Sequence, residues 1–453
     1  MTWGHVYGNA ANSAFADVVT QPAVRDETRI PGLGGFAPGM GPVIGPDGTV
    51  YVGNTDGLLH AFTPAGELRW TSDAPGRRFG ASPVVDVDGS IYVVGLFSAT
   101  DHRGGEPHIR NESTLYRFDA SGAVVWATPF PSGVPQEWGS GLTTASPNIW
   151  RSGNEEAIIV PHLYPTYGGH AVHVVAFSTA GGVLVDHNVT TVRYEITSSV
   201  DWESFIPSLN RWFGLTETVL EPQPDELPAD ATLGTPRVGI YMSGGGEPIV
   251  VVADDYENLV GYAFTPWDGF RELFRKHLTL GAIHMSTPLL LGDAHSVIVG
   301  HATDDAWLFF GGPSAVNWTE LPIPFSGSGP SVGPHGLLVV ARAGALTSIA
   351  TYPGRQVVSE TPLEGESITP AAASRTHVFV STASALTTLD AAGLNVSAEF
   401  LWKKGGLSTP AISSDGRVYA IAGDTLFCFA GPPVDWRRGS VGGPELRDRA
   451  SNE

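Results

Sequence analysis

The chain has 453 residues and a formal net charge of −21 at pH 7, which disfavours binding to a nucleic-acid backbone or to an anionic membrane surface. Its 56 glycines and 35 prolines are typical of a fold with many tight turns between short strands. The single cysteine, Cys428, excludes an intramolecular disulfide, and no apolar run approaches the roughly 20 residues of a membrane span.

Eight segments of the chain begin in the same way, with a small residue, a proline and a brief apolar run. Successive segments are separated by about 40 residues, with longer intervals between the second and the fifth. Such a period is typical of a β-propeller, in which each repeat forms one four-stranded antiparallel blade. The repeats are marked by Pro42, Pro83, Pro147, Pro236, Pro288, Pro330, Pro370 and Pro410. We therefore expect an all-β fold, a single eight-bladed propeller over residues 1–453, with blades that start near residues 41, 82, 146, 235, 287, 329, 369 and 409.

The first repeat, from Gly41 to Trp70, shows the pattern most clearly. GPVIG, TVYVG, LLHAF and ELRW are predicted strands A to D, and the turns PDG and PAG join the first pair and the last pair. Several repeats end in a tryptophan, and we expect the indole to pack between neighbouring blades. These residues are Trp70, Trp126, Trp318, Trp402 and Trp436.

The repeat S/T-P, then D-G-x-V/I-Y-V, then D-G-x-L-x-A-F/L-D, then G-x-x-x-W resembles the pyrroloquinoline-quinone-like (PQQ-like) propeller repeat. The opening WGHVYGNAANSAF resembles the segment that often precedes the first blade in that family. The resemblance covers nearly the whole chain apart from the insertions and implies the propeller fold. The members of the PQQ-like family include quinone-dependent dehydrogenases and the scaffold lipoprotein of the outer-membrane β-barrel assembly machine.

The resemblance favours a secreted or periplasmic location. The opening MTWGHVYGN does not resemble a signal peptide, so we expect either a cytoplasmic protein or one from which a signal has been removed. PQQ itself is not expected as a cofactor, because the dehydrogenases often carry an adjacent cysteine pair that one cysteine cannot form. Their calcium and catalytic carboxylate motifs are not found in this sequence either.

The residues added to the basic repeat are expected on one face of the propeller. Because strands alternate in direction, loops B–C and D–A open on one face and loops A–B and C–D on the other. The long B–C loops are Ser98–Glu112 in blade 2 and PHLYPTYGGH in blade 3. The largest insertion, residues 188–235, contains apolar residues at helical spacing in DWESFIPSLNRWFGL. We expect an inserted lid-like segment with a helix, which either covers apolar surface or closes over the central pocket.

Alignment of the ends of strand B predicts a metal site. His162, Asp254 and His301 occupy this position in three consecutive blades, and His284 lies in the D–A loop that enters blade 5. Imidazoles with a carboxylate suit a divalent metal such as zinc or manganese, with calcium as a further candidate. The alternative is that these are polar residues at loop mouths, hydrogen-bonded to the backbone.

A catalytic site without a metal is a second possibility. Histidine and tyrosine near an arginine can abstract and return a proton, as in β-elimination on uronic-acid sugars. The residues available for this role are His162, Tyr164, Tyr167, His170 and Arg103. The residues expected to contact a ligand are His102, His108, Trp138, Trp202 and Tyr256.

The sequence favours an enzyme, a metal-assisted hydrolase or a lyase. Its small-molecule or saccharide site would lie on the loop-bearing face near the central channel. The alternative is a non-catalytic protein-interaction scaffold, and a quinone-dependent dehydrogenase is disfavoured. We expect a monomer with no nucleic-acid partner and no membrane span.

Overall fold

The computed structural model describes residues 14–22, 27–37, 40–74, 77–103, 106–131, 143, 145–166, 169–193, 237–242, 247–254, 258–277, 284–285, 289–291, 296–302, 307–311, 319–322, 329–342, 344–350, 356–365, 367, 369–402 and 408–430. These residues form strands and turns, with one 3-10 turn at Pro334–Gly336. None of them belongs to a long apolar helix of the kind that spans a membrane.

The strands are short in most of the chain, and they are longest between residues 91 and 193. In the first half they are β1 (Phe15–Ala16), β2 (Glu27–Ile30), β3 (Val43–Ile44), β4 (Val50–Gly53), β5 (Leu58–Phe62), β6 (Leu68–Asp73), β7 (Arg78–Phe79), β8 (Val84–Val85), β9 (Ile91–Arg103), β10 (Glu106–Phe118), β11 (Val124–Pro129), β12 (Asn148–Ser152), β13 (Glu155–Thr166), β14 (Gly169–Ser178), β15 (Val183–Arg193), β16 (Arg237–Met242), β17 (Pro248–Ala253), β18 (Asn258–Thr265) and β19 (Gly269–His277).

The second half continues with β20 (His284–Met285), β21 (Leu289–Leu291), β22 (Ser296–Ala302), β23 (Trp307–Gly311), β24 (Thr319–Pro322), β25 (Pro330–Val332), β26 (Leu337–Arg342), β27 (Ala345–Ala350), β28 (Gln356–Pro362), β29 (Ala372–Ser374), β30 (His377–Ser381), β31 (Ala385–Asp390), β32 (Val396–Leu401), β33 (Ala411–Ile412), β34 (Val418–Ala422) and β35 (Thr425–Phe429).

The described strands form eight sheets of four or five strands, one for each proline-led repeat. Sheet 1 contains β3 to β6, sheet 2 β7 to β11, sheet 3 β12 to β15, sheet 4 β16 to β19, sheet 5 β20 to β24 and sheet 6 β25 to β28. Sheet 7 contains β29 to β32 with β1, and sheet 8 contains β33 to β35 with β2. Consecutive strands pair antiparallel in sheet 1, as the repeat pattern predicted. In sheets 2 and 5 the first two short strands both pair antiparallel with the third, β7 and β8 with β9 and β20 and β21 with β22. The predicted all-β architecture of four-stranded antiparallel sheets is confirmed.

Apolar side chains fill the space between neighbouring sheets. Alternate residues of a strand point to opposite faces of its sheet. Among the described side chains, buried apolar clusters join sheets 1 and 2, 2 and 3, 3 and 4, 6 and 7, and 7 and 8. The last sheet packs on the first in the same way, because Ile412 and Val418 of sheet 8 share a buried cluster with Ile44 and Val50 of sheet 1. The core is therefore a series of layers between sheets.

Tryptophans at the outer strands fix neighbouring sheets to each other. The Nε1 of Trp70 in sheet 1 donates to the carbonyl oxygen of Ala120 in sheet 2, 3.0 Å away. The ring covers Gly122, which has a φ of +86° and whose position leaves no room for a side chain. Trp126 repeats this arrangement on the carbonyl of Thr179 in sheet 3. The predicted packing role is confirmed for these two tryptophans.

The N-terminal segment joins the two ends of the chain. Strand β2 pairs antiparallel with β35, with Thr28 opposite Cys428, and so supplies the outer strand of the last sheet. Strand β1 pairs parallel with β29, the first strand of sheet 7. First strands of successive sheets contact one another, as β25 and β29 do, so they lie closest to the centre of the fold. The segment with β1 therefore lies on the central side of sheet 7.

Two predicted loops are strands in the structure. The predicted loop Ser98–Glu112 continues β9 and β10, and the predicted loop Pro161–His170 continues β13 and β14. The paired strands of a hairpin continue until the sequence favours a turn. The sequence between β9 and β10 that favours a turn is Gly104-Gly105, and between β13 and β14 it is Tyr167-Gly168. Residues 188–193, placed in the inserted segment by sequence, are the end of β15. The predicted helix of that insertion lies outside the described residues.

Candidate functional site on the loop-bearing face

Two long hairpins project from neighbouring sheets on the same face. Strands β9 and β10 have 13 residues each, whereas the equivalent strands β4 and β5 of sheet 1 have 4 and 5. The outer neighbour β11 pairs only as far as Thr114, and β7 only as far as Leu96. Beyond these points, among the described strands, the two arms pair only with each other. At about 3.3 Å per residue this extension is roughly 20 Å long.

Arg77 supports the base of the β9–β10 hairpin. Its guanidinium lies 5.1 Å from the ring centroid of Phe97, and its Nη2 is 3.3 Å from Oε2 of Glu112 on the opposite arm. All three residues lie where the hairpin leaves the body of the sheet. A cation that contacts both arms restricts the direction in which the hairpin projects.

Several predicted site residues lie on these hairpins. His102 and Arg103 are at the end of β9, His108 is on β10 and His170 is on β14, and the structure describes their backbone alone. Four further predicted residues lie outside the described residues, and their roles stay predictions. These are Tyr167, Trp138, Trp202 and Tyr256.

His162 is a buried residue of the layer between sheets 2 and 3. Its side chain is fully buried, and its ring stacks on Phe130 and contacts Tyr164 at a tilt of 39°, with 4.5 Å between centroids in each pair. Neither ring nitrogen has a hydrogen-bond partner among the described residues. Burial, and secondarily the nearby His173, hold the pKa of His162 well below its usual value of 6.5. The imidazole is therefore neutral and enclosed at neutral pH.

Tyr164 continues the same row toward a histidine–aspartate pair that the sequence did not reveal. Its ring centroid lies 4.4 Å from that of His173, and Nδ1 of His173 is 2.7 Å from Oδ1 of Asp186. Burial, and then the charge of Asp186, raise the pKa of Tyr164 far above its usual value. The tyrosine therefore holds its proton at neutral pH. The cross-strand register His162–His173 is the signal that would have found this group.

Asp254 stabilises the turn after β17. Its carboxylate accepts hydrogen bonds from the backbone N–H of Asn258 at 2.7 Å, from Asn258 Nδ2 at 2.9 Å and from Thr190 Oγ1 at 2.6 Å. Burial raises its pKa, and these bonds partly offset that effect. Asn54 does the same in sheet 1, where its Oδ1 accepts from the backbone N–H of Leu58 at 2.9 Å. The alignment of strand ends thus identified a turn-forming position.

Sheet 3 lies between two of the predicted metal ligands. His162 shares a strand face with Val160, which packs toward sheet 2. Asp254 contacts Thr190, whose register partner Val172 packs toward sheet 4. The two side chains therefore lie on opposite sides of sheet 3 and are not brought together.

His284 and His301 lie close in the backbone of sheet 5. His284 pairs with Ala302, and Met285 pairs with His301, which places the two histidines diagonally across adjacent antiparallel strands. The structure describes only their backbone. Within the described ranges no three histidine, cysteine, aspartate or glutamate side chains are grouped so that they could hold a metal ion. The metal site stays a prediction.

The chain is similar to one protein family in its sequence and to solved structures in its fold. Residues 17–195 match the family model PQQ_2, outer membrane protein assembly factor BamB. No curated protein matches the chain by sequence. Among solved structures, BamB from Moraxella catarrhalis is 14% identical, with a TM-score of 0.37, over 92% of this chain and 98% of that one. Dihydro-heme d1 dehydrogenase NirN, in complex with DHE, is 11% identical, with a TM-score of 0.50, over 90% and 75%.

The resemblance to the PQQ-like repeat family is confirmed. The match to the family model ends two residues after β15, so it spans the first three sheets of this chain and both long hairpins. The likeness to NirN concerns the propeller fold alone.

Proposed function

We propose that this PQQ-like chain is a non-catalytic interaction scaffold and that a protein partner binds the face from which the two long hairpins project. The observation that carries the proposal is the length of β9–β10 and β13–β14 in two adjacent sheets, compared with the short hairpins of sheets 1, 7 and 8. Loops and hairpins on a rigid propeller are a common means of presenting a binding surface.

The geometry of the hairpins suits a large partner. Sheets 2 and 3 pack directly on each other through a shared apolar cluster, so their hairpins project side by side. Strands hold backbone donors and acceptors at fixed spacing, and the support from Arg77 restricts how far the first hairpin can move. A partner that binds such a surface loses little free energy in ordering it.

The chemistry of the best-described candidates also favours binding over catalysis. His162 is enclosed in an aromatic stack, and the carboxylate of Asp254 is occupied by the turn that it stabilises. A catalytic acid, base or metal ligand must reach its substrate or ion. The name of the matched family model, an outer membrane protein assembly factor, agrees with a scaffold. With it we propose a secreted or periplasmic location.

The test compares the intact chain with a variant whose first hairpin is shortened. Residues 99–110 are replaced by Asn-Gly, which connects Ser98 to its cross-strand partner Asn111 by a two-residue turn. The matched control is Leu401→Ser, on the exposed outer strand of sheet 7. Each protein is used to isolate partners from the source cells, and captured proteins are quantified by mass spectrometry and by size-exclusion chromatography of the complex.

We expect one protein that co-elutes in a fixed ratio with the intact chain and with Leu401→Ser and that is lost with the shortened hairpin. Recovery of the same partners by all three proteins would contradict the proposed surface. The enzyme interpretation makes a different prediction, namely a stoichiometric metal by elemental analysis, or cleavage of uronic-acid saccharides that His162→Ala abolishes.

A further inference from the structure

Trp267 is the most exposed of the large apolar side chains in the described part of the chain, with 83% of its surface accessible. It lies in the turn between β18 and β19 of sheet 4. This turn opens on the same face as the turn between β12 and β13, opposite the face of the long hairpins. The surface around it is therefore separate from the site proposed above.

The indole of Trp267 is held in place although it is exposed. Its Nε1 donates to Oε1 of Glu155, 2.7 Å away at the start of β13 in the neighbouring sheet. The turn itself is fixed by Asp268, whose backbone N–H donates to Oγ1 of Thr265 at 2.9 Å. A side chain already fixed in this way loses less rotational freedom on binding than a free one.

Apolar surface continues from the tryptophan onto sheet 3. An added Cβ at Gly269 would lie 3.4 Å from Cγ2 of Val185, so the turn packs against β15. Trp267, with Glu155 and Asp268 beside it and Val185 against the same turn, forms what we call the Trp267 patch. It combines an apolar centre with an acidic edge.

We propose that the Trp267 patch is a second interaction surface, which binds a partner protein through an apolar side chain flanked by lysine or arginine. Tryptophan is among the residues that most often dominate binding free energy at protein interfaces. The acidic edge and the net charge of −21 attract a basic partner. The same charges repel a second copy of this chain and an anionic membrane surface.

The experiment uses random 12-residue peptides displayed on phage as the probe. Peptides are selected on the wild-type protein and counter-selected on Trp267→Ala, and the affinities of the selected peptides are measured at low and high salt. Three further variants are measured with the same peptides: Trp267→Phe, Glu155→Gln and Leu401→Ala. Leu401 is also strongly exposed but lies on the outer strand of sheet 7. Thermal unfolding of each variant checks that it is folded.

We expect selected peptides to carry an apolar residue beside lysine or arginine, to bind more weakly at high salt and to lose at least about tenfold in affinity with Trp267→Ala. Trp267→Phe should retain part of the binding, Glu155→Gln should reduce it, and Leu401→Ala should leave it unchanged. The proposal is overturned if no selected peptide depends on Trp267, or if those that do are acidic or insensitive to salt. Equal losses with Trp267→Ala and Leu401→Ala would also overturn it.

Discussion

Lowering the pH should destabilise the protein through His162, because this imidazole is fully buried without a hydrogen-bond partner among the described residues. In the unfolded chain the ring binds a proton as the pH falls through about 6.5, whereas in the folded protein its pKa is far lower. Between these two pKa values the unfolded state therefore binds more protons than the folded state. The free energy of unfolding decreases as the pH is lowered through this range. At pH 5, about 1.5 units below the unfolded pKa, the loss from this one residue is about 2 kcal/mol.

The measurement is the free energy of unfolding in urea, from pH 8 to pH 5, for the wild type and for His162→Phe. The variant keeps a flat ring beside Phe130 and has no titrating group there, so its stability should fall by about 2 kcal/mol less over this range. The side chains of His60, His187 and His377 also have lowered pKa values, but they contribute equally to both proteins. Phe118→Leu, in the layer between sheets 1 and 2, is the control, since it should lower stability by the same amount at every pH. Parallel curves for the wild type and His162→Phe would refute the reasoning.

Three further predictions concern single buried positions. Asp254→Ala should lower the free energy of unfolding by about 2 kcal/mol or more, because the donors that it accepts from are left unpaired; a change within error in urea unfolding would show that the turn does not need the carboxylate. Gly122→Ala should destabilise by about 1–3 kcal/mol in the same assay, since the new Cβ meets the ring of Trp70 at 2.7 Å, whereas Gly336→Ala, with open space around it, should lose less. Cys428 should resist iodoacetamide until the protein unfolds, because burial raises its thiol pKa to about 12, and labelling of the folded protein by mass spectrometry would disprove this.

For the candidate site, the sequence predicted positions along the strands but not which side chains meet. Alignment of strand ends gave His162 and Asp254 the same predicted position, but it could not show that His162 lies within β13 whereas Asp254 follows β17 in a turn. Nor could it show that sheet 3 separates their side chains. Burial and cross-strand partners depend on which faces of neighbouring sheets meet. The partners His173 and Asp186 were missed for the same reason, since His173 lies 11 positions after His162 and only the hairpin register brings the two together.

The sequence by itself determined the repeat and, with it, the all-β fold of four-stranded antiparallel sheets. It could do so because alternation, turn glycines and proline-led strands are local signals that recur in each repeat. Only the tertiary structure decided that two predicted loops are extended hairpins and that the first strands of the chain complete sheets 7 and 8. It also decided that Trp267 is exposed and fixed by Glu155. These features depend on contacts between residues that are far apart in the chain. A local sequence pattern does not predict the free energy of such contacts.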